Sequence, residues 1–313
     1  RTDFSNDTAT ALPKGFLATA RMYTIATGNL NYGYWSGGSP SLPVDRLDYS
    51  NDLATGVTKG AATVSVSDPG AAGNAYFGYW IGGWAPAVPA NVSTIQRLDY
   101  SSDTVTCVDK GPLPATRTSV TATSNADYVW AGGGKPKISN VDRIDYSNDT
   151  ADAVPRGYLS AGAEYTSASG NAYYGWWAGG DAPSTSSIVQ RFEYANDLSN
   201  GLTRGPLTAT VKYGGGTGNN AFGYFGGGGS PIVTTVDRVD FSNDTATAAA
   251  KGPLVTGRRY LGAASSRENA LSPGTELSKQ FAFNVNIPVG TSPYGYFIGG
   301  NGGATIVDRV DFS

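Results

Sequence analysis

The stretch that decides the fold is Val141-Asp142-Arg143-Ile144-Asp145-Tyr146-Ser147-Asn148-Asp149-Thr150. Its central pattern is an Arg, any residue, an acidic residue and an aromatic residue, and the chain repeats this pattern along its whole length. The copies after the first are Arg46 with Asp48, Arg97 with Asp99, Arg143 with Asp145, Arg191 with Glu193, Arg238 with Asp240 and Arg309 with Asp311; the first begins at Arg1. A period of about 20–50 residues is typical of repeat architectures. The chain is therefore an array of copies of one unit.

Two further features recur in each unit. A basic residue followed by Gly comes at a fixed distance after each of the first six arginines: Lys14-Gly15, Lys59-Gly60, Lys110-Gly111, Arg156-Gly157, Arg204-Gly205 and Lys251-Gly252. An aromatic segment then ends in a Gly pair: Gly37-Gly38, Gly82-Gly83, Gly132-Gly133, Gly179-Gly180, Gly226-Gly227 and Gly299-Gly300. The spacing from the Gly pair to the next arginine varies. A constant core with variable loops is what stacked supersecondary units produce.

The composition favours an all-β protein and excludes several functions. The 313 residues include 43 Gly and 12% aromatic residues, which suit turns and pleated surfaces. A net charge of −3 provides no basic surface for nucleic acid or an anionic membrane, and no apolar run is long enough to insert into one. With no His in the chain, His-based zinc sites and His-assisted nucleophiles are excluded. Cys107 is the one cysteine, so it cannot form an internal disulfide, and we interpret it as a buried space-filling residue.

Each unit reads as four short strands. In the third copy the first strand is predicted at Thr116–Thr123, after the basic-Gly corner, and the second is the aromatic segment, whose continuous apolar residues indicate burial on both faces. The opening stretch is the third strand, and Thr150–Pro155 is the fourth. Four antiparallel strands repeated radially predict a β-propeller. We therefore expect one domain over residues 1–313: a six-bladed β-propeller with repeats starting near 1, 46, 97, 143, 191 and 238 and a partial copy at 308–313.

These motifs resemble the kelch repeat over essentially the whole chain. The shared features are the aromatic strand ending in Gly-Gly, the variable loop, the Val-x-Arg-x-Asp-aromatic strand and the basic-Gly-Pro-Leu segment. The tryptophan that normally follows the third kelch strand is replaced here by Ala, Val or Thr, so the units are kelch-like and divergent. The segment Asp-Tyr-Ser-Asn-Asp-Thr-Ala also resembles segments of marine bacteriophage repeat proteins, many of which are virion or tail components. That resemblance implies a virion or extracellular location.

The two ends predict how the ring closes. The C-terminus supplies three strands of the last blade, and Thr8–Pro13 is a fourth strand that can complete it. Third-strand copies at both ends, Arg1–Ser5 and Arg309–Ser313, are one too many, so either one lies outside the ring or the chain belongs to a longer array. The last repeat also has an insertion at about 265–289. Its alternating Phe281 and Phe283 favour a protruding contact arm over a plain disordered loop.

Strand direction sorts the connections into two faces. We expect the Asn-Asp turns on one face, and the basic-Gly corners and variable loops on the other. The Asn-Asp turns could bind calcium, but each offers few oxygens, so turn hydrogen bonding is the preferred interpretation and no metal or cofactor is predicted. The Arg-x-Asp residues are interpreted as structural ion pairs between neighbouring blades, because a binding site would not need identical copies.

The variable loops are where binding specificity is expected. The candidate binding residues are Trp84, Asn91, Lys135, Lys137, Asp181, Phe281 and Phe283. An exposed Trp beside polar loops suits sugar stacking or a protein contact. An alternative reading is that Trp84 caps its own blade.

Function follows from the repetition. Catalysis needs singular residues, and nearly every polar group here recurs, so we expect a non-enzymatic interaction module. Its partner would be another virion protein or a host surface glycan or protein, with the oligomeric state left open. One alternative is a secreted carbohydrate-active enzyme, which needs converging carboxylates among Glu164, Glu193, Glu268 and Glu276. A purely structural spacer is the other.

Overall fold

The computed structural model describes residues 6–38, 43–229, 231–266, 294–299 and 306–311. Over these ranges the chain is all-β apart from short 3₁₀ turns, and its antiparallel four-stranded sheets have a β-propeller arrangement. None of the helical turns in this part of the chain has the length and apolarity needed to cross a membrane.

Five of the sheets are each built from one continuous part of the chain. Sheet 1 contains β2 (Thr24–Gly28), β3 (Tyr32–Gly37), β4 (Pro43–Asp48) and β5 (Val57–Ala61). Sheet 2 contains β6 (Gly70–Gly73), β7 (Phe77–Ile81), β10 (Ile95–Asp99) and β11 (Val108–Lys110), with the small hairpin β8 (Trp84–Ala85) and β9 (Ala90–Asn91) between β7 and β10. Sheet 3 contains β12 (Thr121–Ser124), β13 (Tyr128–Gly132), β14 (Asn140–Asp145) and β15 (Val154–Tyr158). Sheet 4 contains β16 (Ser167–Gly170), β17 (Tyr174–Ala178), β18 (Val189–Glu193) and β19 (Leu202–Arg204). Sheet 5 contains β20 (Gly215–Gly218), β21 (Phe222–Gly226), β22 (Val236–Asp240) and β23 (Ala249–Lys251).

The sixth four-stranded sheet joins the two ends of the chain. Its strands are β24 (Leu261–Ser265), β25 (Tyr294–Gly299), β26 (Ile306–Asp311) and the N-terminal β1 (Leu12–Phe16). β1 pairs antiparallel with β26, with Leu12 opposite Arg309. The repeat spacing predicts this N-terminal pairing, but the strand lies later than the predicted Thr8–Pro13. Arg1–Ser5 and the insertion, apart from Ser265 and Ser266, lie outside the described residues.

The first strands of the sheets face one another around an axis. Each of β2, β6, β12, β16, β20 and β24 packs against the first strands of the two neighbouring sheets. The aromatic second strands lie between sheets, where Tyr79 and Trp80 are 0% and 1% exposed. Their burial on both faces confirms the prediction from their continuous apolar sequence. The apolar clusters therefore combine residues of adjacent sheets, as when Tyr79 packs with Val129.

The Asn-Asp turn of each sheet carries a buried aspartate that the preceding sheet holds. We name this arrangement the turn-aspartate clasp. In sheet 3 the carboxylate of Asp149 lies 2.8 Å from Arg97 Nη1 and 3.0 Å from Lys110 Nζ, both in sheet 2. The Tyr79 hydroxyl, also in sheet 2, donates to the same carboxylate at 2.7 Å. One carboxylate thus receives three side-chain contacts from its neighbour.

The clasp recurs between the other sheets. The arginine contacts are Arg46–Asp103, Arg97–Asp149, Arg143–Asp197, Arg191–Asp244 and Arg238–Asp7. The aromatic donors are Tyr34 to Asp103, Trp130 to Asp197, Trp176 to Asp244, Tyr224 to Asp7 and Tyr296 to Asp52. Clasps on Asp7 and Asp52 tie the sixth sheet to both neighbours. Identical polar contacts therefore run from sheet to sheet around the axis.

The motif arginine forms an ion pair between neighbouring sheets as predicted, but its partner is the turn aspartate of the next sheet and not a motif acid. The arginine does not pair with the acidic residue of its own Arg-x-Asp motif. The motif residues Asp48, Asp99, Asp145 and Asp240 instead accept hydrogen bonds from the serine two positions later, at the start of the turn. Glu193 makes no such capping bond. A short carboxylate can reach the backbone N–H two residues on, so this acid fixes the turn that carries the buried aspartate.

The basic-Gly residues also lie elsewhere than predicted. They are in or directly after the fourth strand, as at Arg156-Gly157 in β15, and not at a corner on the loop face. The predicted strands Thr116–Thr123 and Thr150–Pro155 are observed as β12 and β15, each displaced toward the C-terminus. The glycine N–H donates to the turn-aspartate carbonyl of the next sheet, for example Gly157 to Asp197 at 2.7 Å. The fourth strand of one sheet and the turn of the next sheet therefore form the two sides of each sheet-to-sheet contact.

Glycine is required in this pair by the close approach of two backbones. A Cβ on Gly205 would lie 1.8 Å from the carbonyl oxygen of Ala246 in the next sheet. The other five basic-Gly glycines meet an equivalent carbonyl oxygen at 1.7 to 2.1 Å. No real Cβ tolerates such a contact, so any side chain would push the sheets apart.

Replacing this glycine should therefore destabilise the protein. We expect Gly205→Ala to reduce the free energy of unfolding by about 3 kcal/mol, because the methyl group meets backbone that cannot rotate away. Denaturant unfolding followed by tryptophan fluorescence would measure the loss. Gly201→Ala in the same sheet is the matched control, since its Cβ would meet its nearest atom at 3.2 Å. Equal losses for the two variants would contradict the close-approach explanation.

The clasp should also make stability depend on pH. Burial alone would raise the pKa of Asp149, but hydrogen bonds from Tyr79 and Lys110 and the charge of Arg97 outweigh it and hold this pKa below its ordinary value. A carboxyl with a lowered folded-state pKa stabilises the fold above its unfolded pKa of about 3.9, and the stabilisation is lost as the pH falls through the folded value. Asp149→Asn should cost about 3 kcal/mol at pH 7.

The check is urea unfolding of wild type and Asp149→Asn between pH 2 and pH 7. The difference in unfolding free energy should shrink below about pH 4, where the wild-type carboxylate becomes protonated. Asp152→Asn, an exposed acid in the same turn, is the control and should leave stability unchanged. A difference that stays constant down to pH 2 would show that the ion pairs contribute nothing.

Candidate functional site

Three of the predicted binding residues meet at one cavity. The β8–β9 hairpin places Trp84 opposite Asn91, and Lys135 lies on the loop after β13. They line a cavity of about 550 Å³ together with Met22, Tyr23, Ser67, Asp68, Thr118, Tyr165 and Tyr260. We name this cavity the axial mouth. Beneath it the first strands enclose a space of only about 60 Å³. All but the smallest ligands would therefore stay at the mouth.

Backbone hydrogen bonds fix the loop residues at the axial mouth. Trp84 and Ser67 exchange two backbone hydrogen bonds of 2.8 and 2.9 Å, and Lys135 N–H donates to the Thr118 carbonyl at 2.8 Å. Trp84 is 39% exposed, so its indole is available at the surface. It does not merely cap its own sheet, because it shares the cavity with residues of other sheets.

A ring of six residues in the left-handed backbone conformation lies at the same end of the axis. One residue shortly before the first strand of each sheet has a φ between 52° and 66°: Tyr23, Asp68, Ser119, Tyr165, Tyr213 and Tyr260. We name these six residues the axial ring. Side chains other than Gly and Asn rarely adopt this conformation, at a cost of about 1 kcal/mol each. Strain repeated at one place points to a functional site.

Neighbouring members of the axial ring are joined through their backbones. Ser119 N–H donates to the Asp68 carbonyl at 2.9 Å, and Tyr260 N–H donates to the Tyr213 carbonyl at 2.8 Å. The tyrosine rings also contact one another. Ring centroids lie 4.2 Å apart for Tyr23 and Tyr260, 4.3 Å for Tyr213 and Tyr260, and 4.4 Å for Tyr165 and Tyr213. Four aromatic side chains therefore form a continuous wall.

Asp68 and Ser119 interrupt this wall. Burial raises the pKa of Asp68 to about 7, and its negative charge contributes to a raised pKa of Tyr165, about 12, whose largest cause is burial. No hydrogen bond or ion pair to the Asp68 carboxylate is found within the described ranges. Asp68 is thus the one acidic residue among the described residues that line the axial mouth, and it lies among aromatic rings.

Lys137 and Asp181 lie on the rim and do not line the axial mouth. The Asp181 carboxylate bridges two lysines, 3.2 Å from Lys137 Nζ and 3.1 Å from Lys212 Nζ. Lys137 also donates to the Pro183 carbonyl at 2.7 Å. These contacts connect the loops of sheets 3, 4 and 5. Both residues therefore act as loop braces in this structure.

Four of the remaining predicted residues cannot be placed, and the other two are far apart. Phe281, Phe283, Glu268 and Glu276 lie outside the described residues. Glu164 directly precedes Tyr165 near the axial mouth, whereas Glu193 ends β18 at the other end of sheet 4. The two carboxylates do not converge as a glycosidase pair must. Within the described ranges no three metal-ligating side chains of the His, Cys, Asp and Glu types come together.

Sequence reasoning missed the axial ring. The available signal was an aromatic residue shortly before the first strand in four of the units, at Tyr23, Tyr165, Tyr213 and Tyr260. The predicted first strand included this region, where backbone conformation breaks the strand. The aromatic residues are therefore assigned to a strand by the sequence pattern, although they precede it in the structure.

A scan against protein-family models found no match to the chain, and a search of curated proteins found none either. The kelch-like and bacteriophage resemblances therefore stay predictions.

The half-buried carboxyl of Asp68 should affect stability in the opposite direction to Asp149. Its folded-state pKa of about 7 lies above the unfolded value of about 3.9, so the wild type should become less stable as the pH rises between these values. Asp68→Asn removes the titration and keeps a residue that tolerates positive φ. The variant should be more stable than wild type at pH 8, and the difference should vanish near pH 4. Thermal melts across this range would measure it, and a variant less stable at pH 8 would contradict the expectation.

Proposed function

We propose that the chain is a non-enzymatic binding module that takes a glycan at the axial mouth. The observation that carries this proposal is the cavity of about 550 Å³ that Trp84, Tyr23, Tyr165 and Tyr260 line. Small-molecule sites are typically clefts of about 300–1,000 Å³ with mostly apolar walls and a few polar groups. Aromatic faces stack on the C–H faces of sugars, while Asn91, Lys135 and Asp68 provide hydrogen-bonding groups.

The distribution of polar residues supports binding at the axial mouth. The repeated charged residues are occupied in the turn-aspartate clasps, where they hold the sheets together. The groups that differ from unit to unit, Trp84, Asn91, Lys135 and Asp68, gather at the mouth instead. A spacer has no need of such a concentration of single residues on a strained backbone.

We also propose that the composite sheet of β24, β25, β26 and β1 acts as a sixth, kelch-like blade. Support comes from its four strands, its contacts with sheets 1 and 5, and the clasps on Asp7 and Asp52. A closed ring would hold the axial mouth rigid. In line with the phage-like repeat wording, we place the module on a virion or outside the cell, where it would attach to a host surface glycan.

A glycan array with the wild-type chain tests the binding function. We expect selective binding, and Trp84→Ala should weaken the affinity for the best glycan about ten-fold, because an exposed Trp in a cavity is a typical binding hot spot. Tyr173→Ala is the matched control, since Tyr173 is 71% exposed at a hairpin remote from the mouth.

Three outcomes would contradict this proposal. An array without any bound glycan would favour a spacer or a protein partner. Release of reducing sugar from the bound glycan would favour the enzyme instead. Loss of binding in both Trp84→Ala and Tyr173→Ala would place the site elsewhere.

A further inference from the structure

We propose that Asp68 and the tyrosines of the axial ring form a subsite for an ammonium group. The ligand class is an alkylammonium cation, carried either by an amino sugar or by a quaternary ammonium compound. This inference deepens the binding function proposed above and rests on it for the axial mouth as the place of ligand entry.

Asp68 differs from the buried aspartates of the chain. Asp45 lies 3.1 Å from Arg21, Asp237 accepts from Thr208, and each turn aspartate is held by cations of the preceding sheet. Asp142 likewise pairs with Arg117. Asp68 has no such partner in the described part of the chain. Asp68 is half-buried beside aromatic rings, where a carboxylate gains from a positive partner, so a ligand cation would complete the site.

The surrounding aromatic rings suit a cation. Tyr23, Tyr165 and Tyr260 line the same cavity as Asp68, and the electron-rich face of an aromatic ring attracts an ammonium group. The chain itself places cations on neighbouring rings: Arg259 lies 5.2 Å from the Tyr260 centroid, and Lys212 Nζ lies 5.3 Å from the Tyr213 centroid. No cation of the described residues lies over the Tyr23 or Tyr165 ring, although both rings line the axial mouth.

The axial ring holds these groups in advance of binding. Tyr23, Asp68 and Tyr165 have a positive φ, which an unconstrained chain would rarely adopt at these residues. The surrounding structure therefore fixes the direction in which their side chains leave the backbone. The closed first strands beneath prevent the aromatic wall from collapsing inward. A preorganised site loses little conformational freedom when a ligand enters.

Replacing Lys135 provides a test in which ammonium binding should become stronger and not weaker. It is exposed, lines the axial mouth and makes no ion pair with Asp68. Its positive charge repels a bound cation, so removing it should strengthen ammonium binding. If the ligand were an anion or an acidic sugar, removing the charge of Lys135 would instead weaken its binding.

Isothermal titration calorimetry with two probes, tetramethylammonium chloride and glucosamine, tests the subsite. Sodium chloride at equal ionic strength is the control for the tetramethylammonium salt, and glucose is the neutral control for glucosamine. We expect both ammonium probes to bind the wild type and the controls not to. Asp68→Asn should weaken binding about ten-fold, because an interaction with a charged group is stronger than one with a neutral group. Tyr165→Leu should weaken it about five-fold. Lys135→Met should strengthen it, and Asp152→Asn should change nothing.

The pH profile gives an independent readout. The affinity for tetramethylammonium, whose charge does not titrate, should rise from pH 6 to pH 8 as the carboxyl of Asp68 with its pKa of about 7 ionises, and the profile of Asp68→Asn should be flat. The other ionisable side chains lining the cavity are Tyr23, Tyr165, Tyr260 and Lys135. Melting curves of each variant would verify that it is folded.

The outcomes separate the two proposals. Stronger binding of glucosamine than of tetramethylammonium assigns the subsite to amino sugars, and the reverse order assigns it to quaternary ammonium ligands. Glycan binding that is equal for amino and neutral sugars would overturn the ammonium subsite and leave the glycan function standing. An array without bound glycan would overturn the glycan function, even if tetramethylammonium binds in an Asp68-dependent manner. Equal ammonium affinity in wild type and Asp68→Asn would overturn the subsite.

Discussion

A buried aspartate between two sheets is the contact on which the rest of this structure depends. Five of the turn aspartates are held by an arginine, a lysine or second arginine, and an aromatic donor of the preceding sheet, as Asp149 is by Arg97, Lys110 and Tyr79. Asp52 is held by Lys14 and Tyr296. A buried charge is costly unless it is both paired and hydrogen-bonded. The carboxylate therefore fixes the separation and orientation of two sheets in a way that apolar contact cannot. Stacked aromatic pairs such as Trp130 and Tyr194, 3.9 Å apart, fill the space behind it.

This contact explains why the repeat has its sequence. The arginine lies over the first aromatic ring of its own second strand, as Arg143 does over Tyr128 at 4.3 Å, and from there it reaches the next sheet. The motif aspartate shapes the turn, and the glycine lets the next backbone approach. Four sequence features that look independent thus serve one interface. Their repetition reflects the repetition of that interface.

The axial ring follows a different logic. Here the backbone is strained at six equivalent positions, while the side chains vary between Tyr, Asp and Ser. The stability provided by the sheet contacts allows such strain to persist. Because neighbouring members of the ring are joined through their backbones, its residues can keep a carboxylate beside aromatic rings without local collapse. A rigid repetitive body and a variable centre are what the proposed binding function requires.

The sequence by itself determined the repeat, the all-β class, the four-stranded unit and the burial of the aromatic strands, because hydrophobic continuity and turn residues are local properties of the chain. It also pointed to Trp84, Asn91 and Lys135 as loop residues that could bind. Only the tertiary structure decided that Arg97 pairs with Asp149 and not with Asp99, since both carboxylates stand near an arginine in the repeat and only packing shows which one is buried. It likewise decided that Asp68 stands among Tyr23, Tyr165 and Tyr260. These residues are far apart in the chain, and they meet only because the sheets curve around one axis.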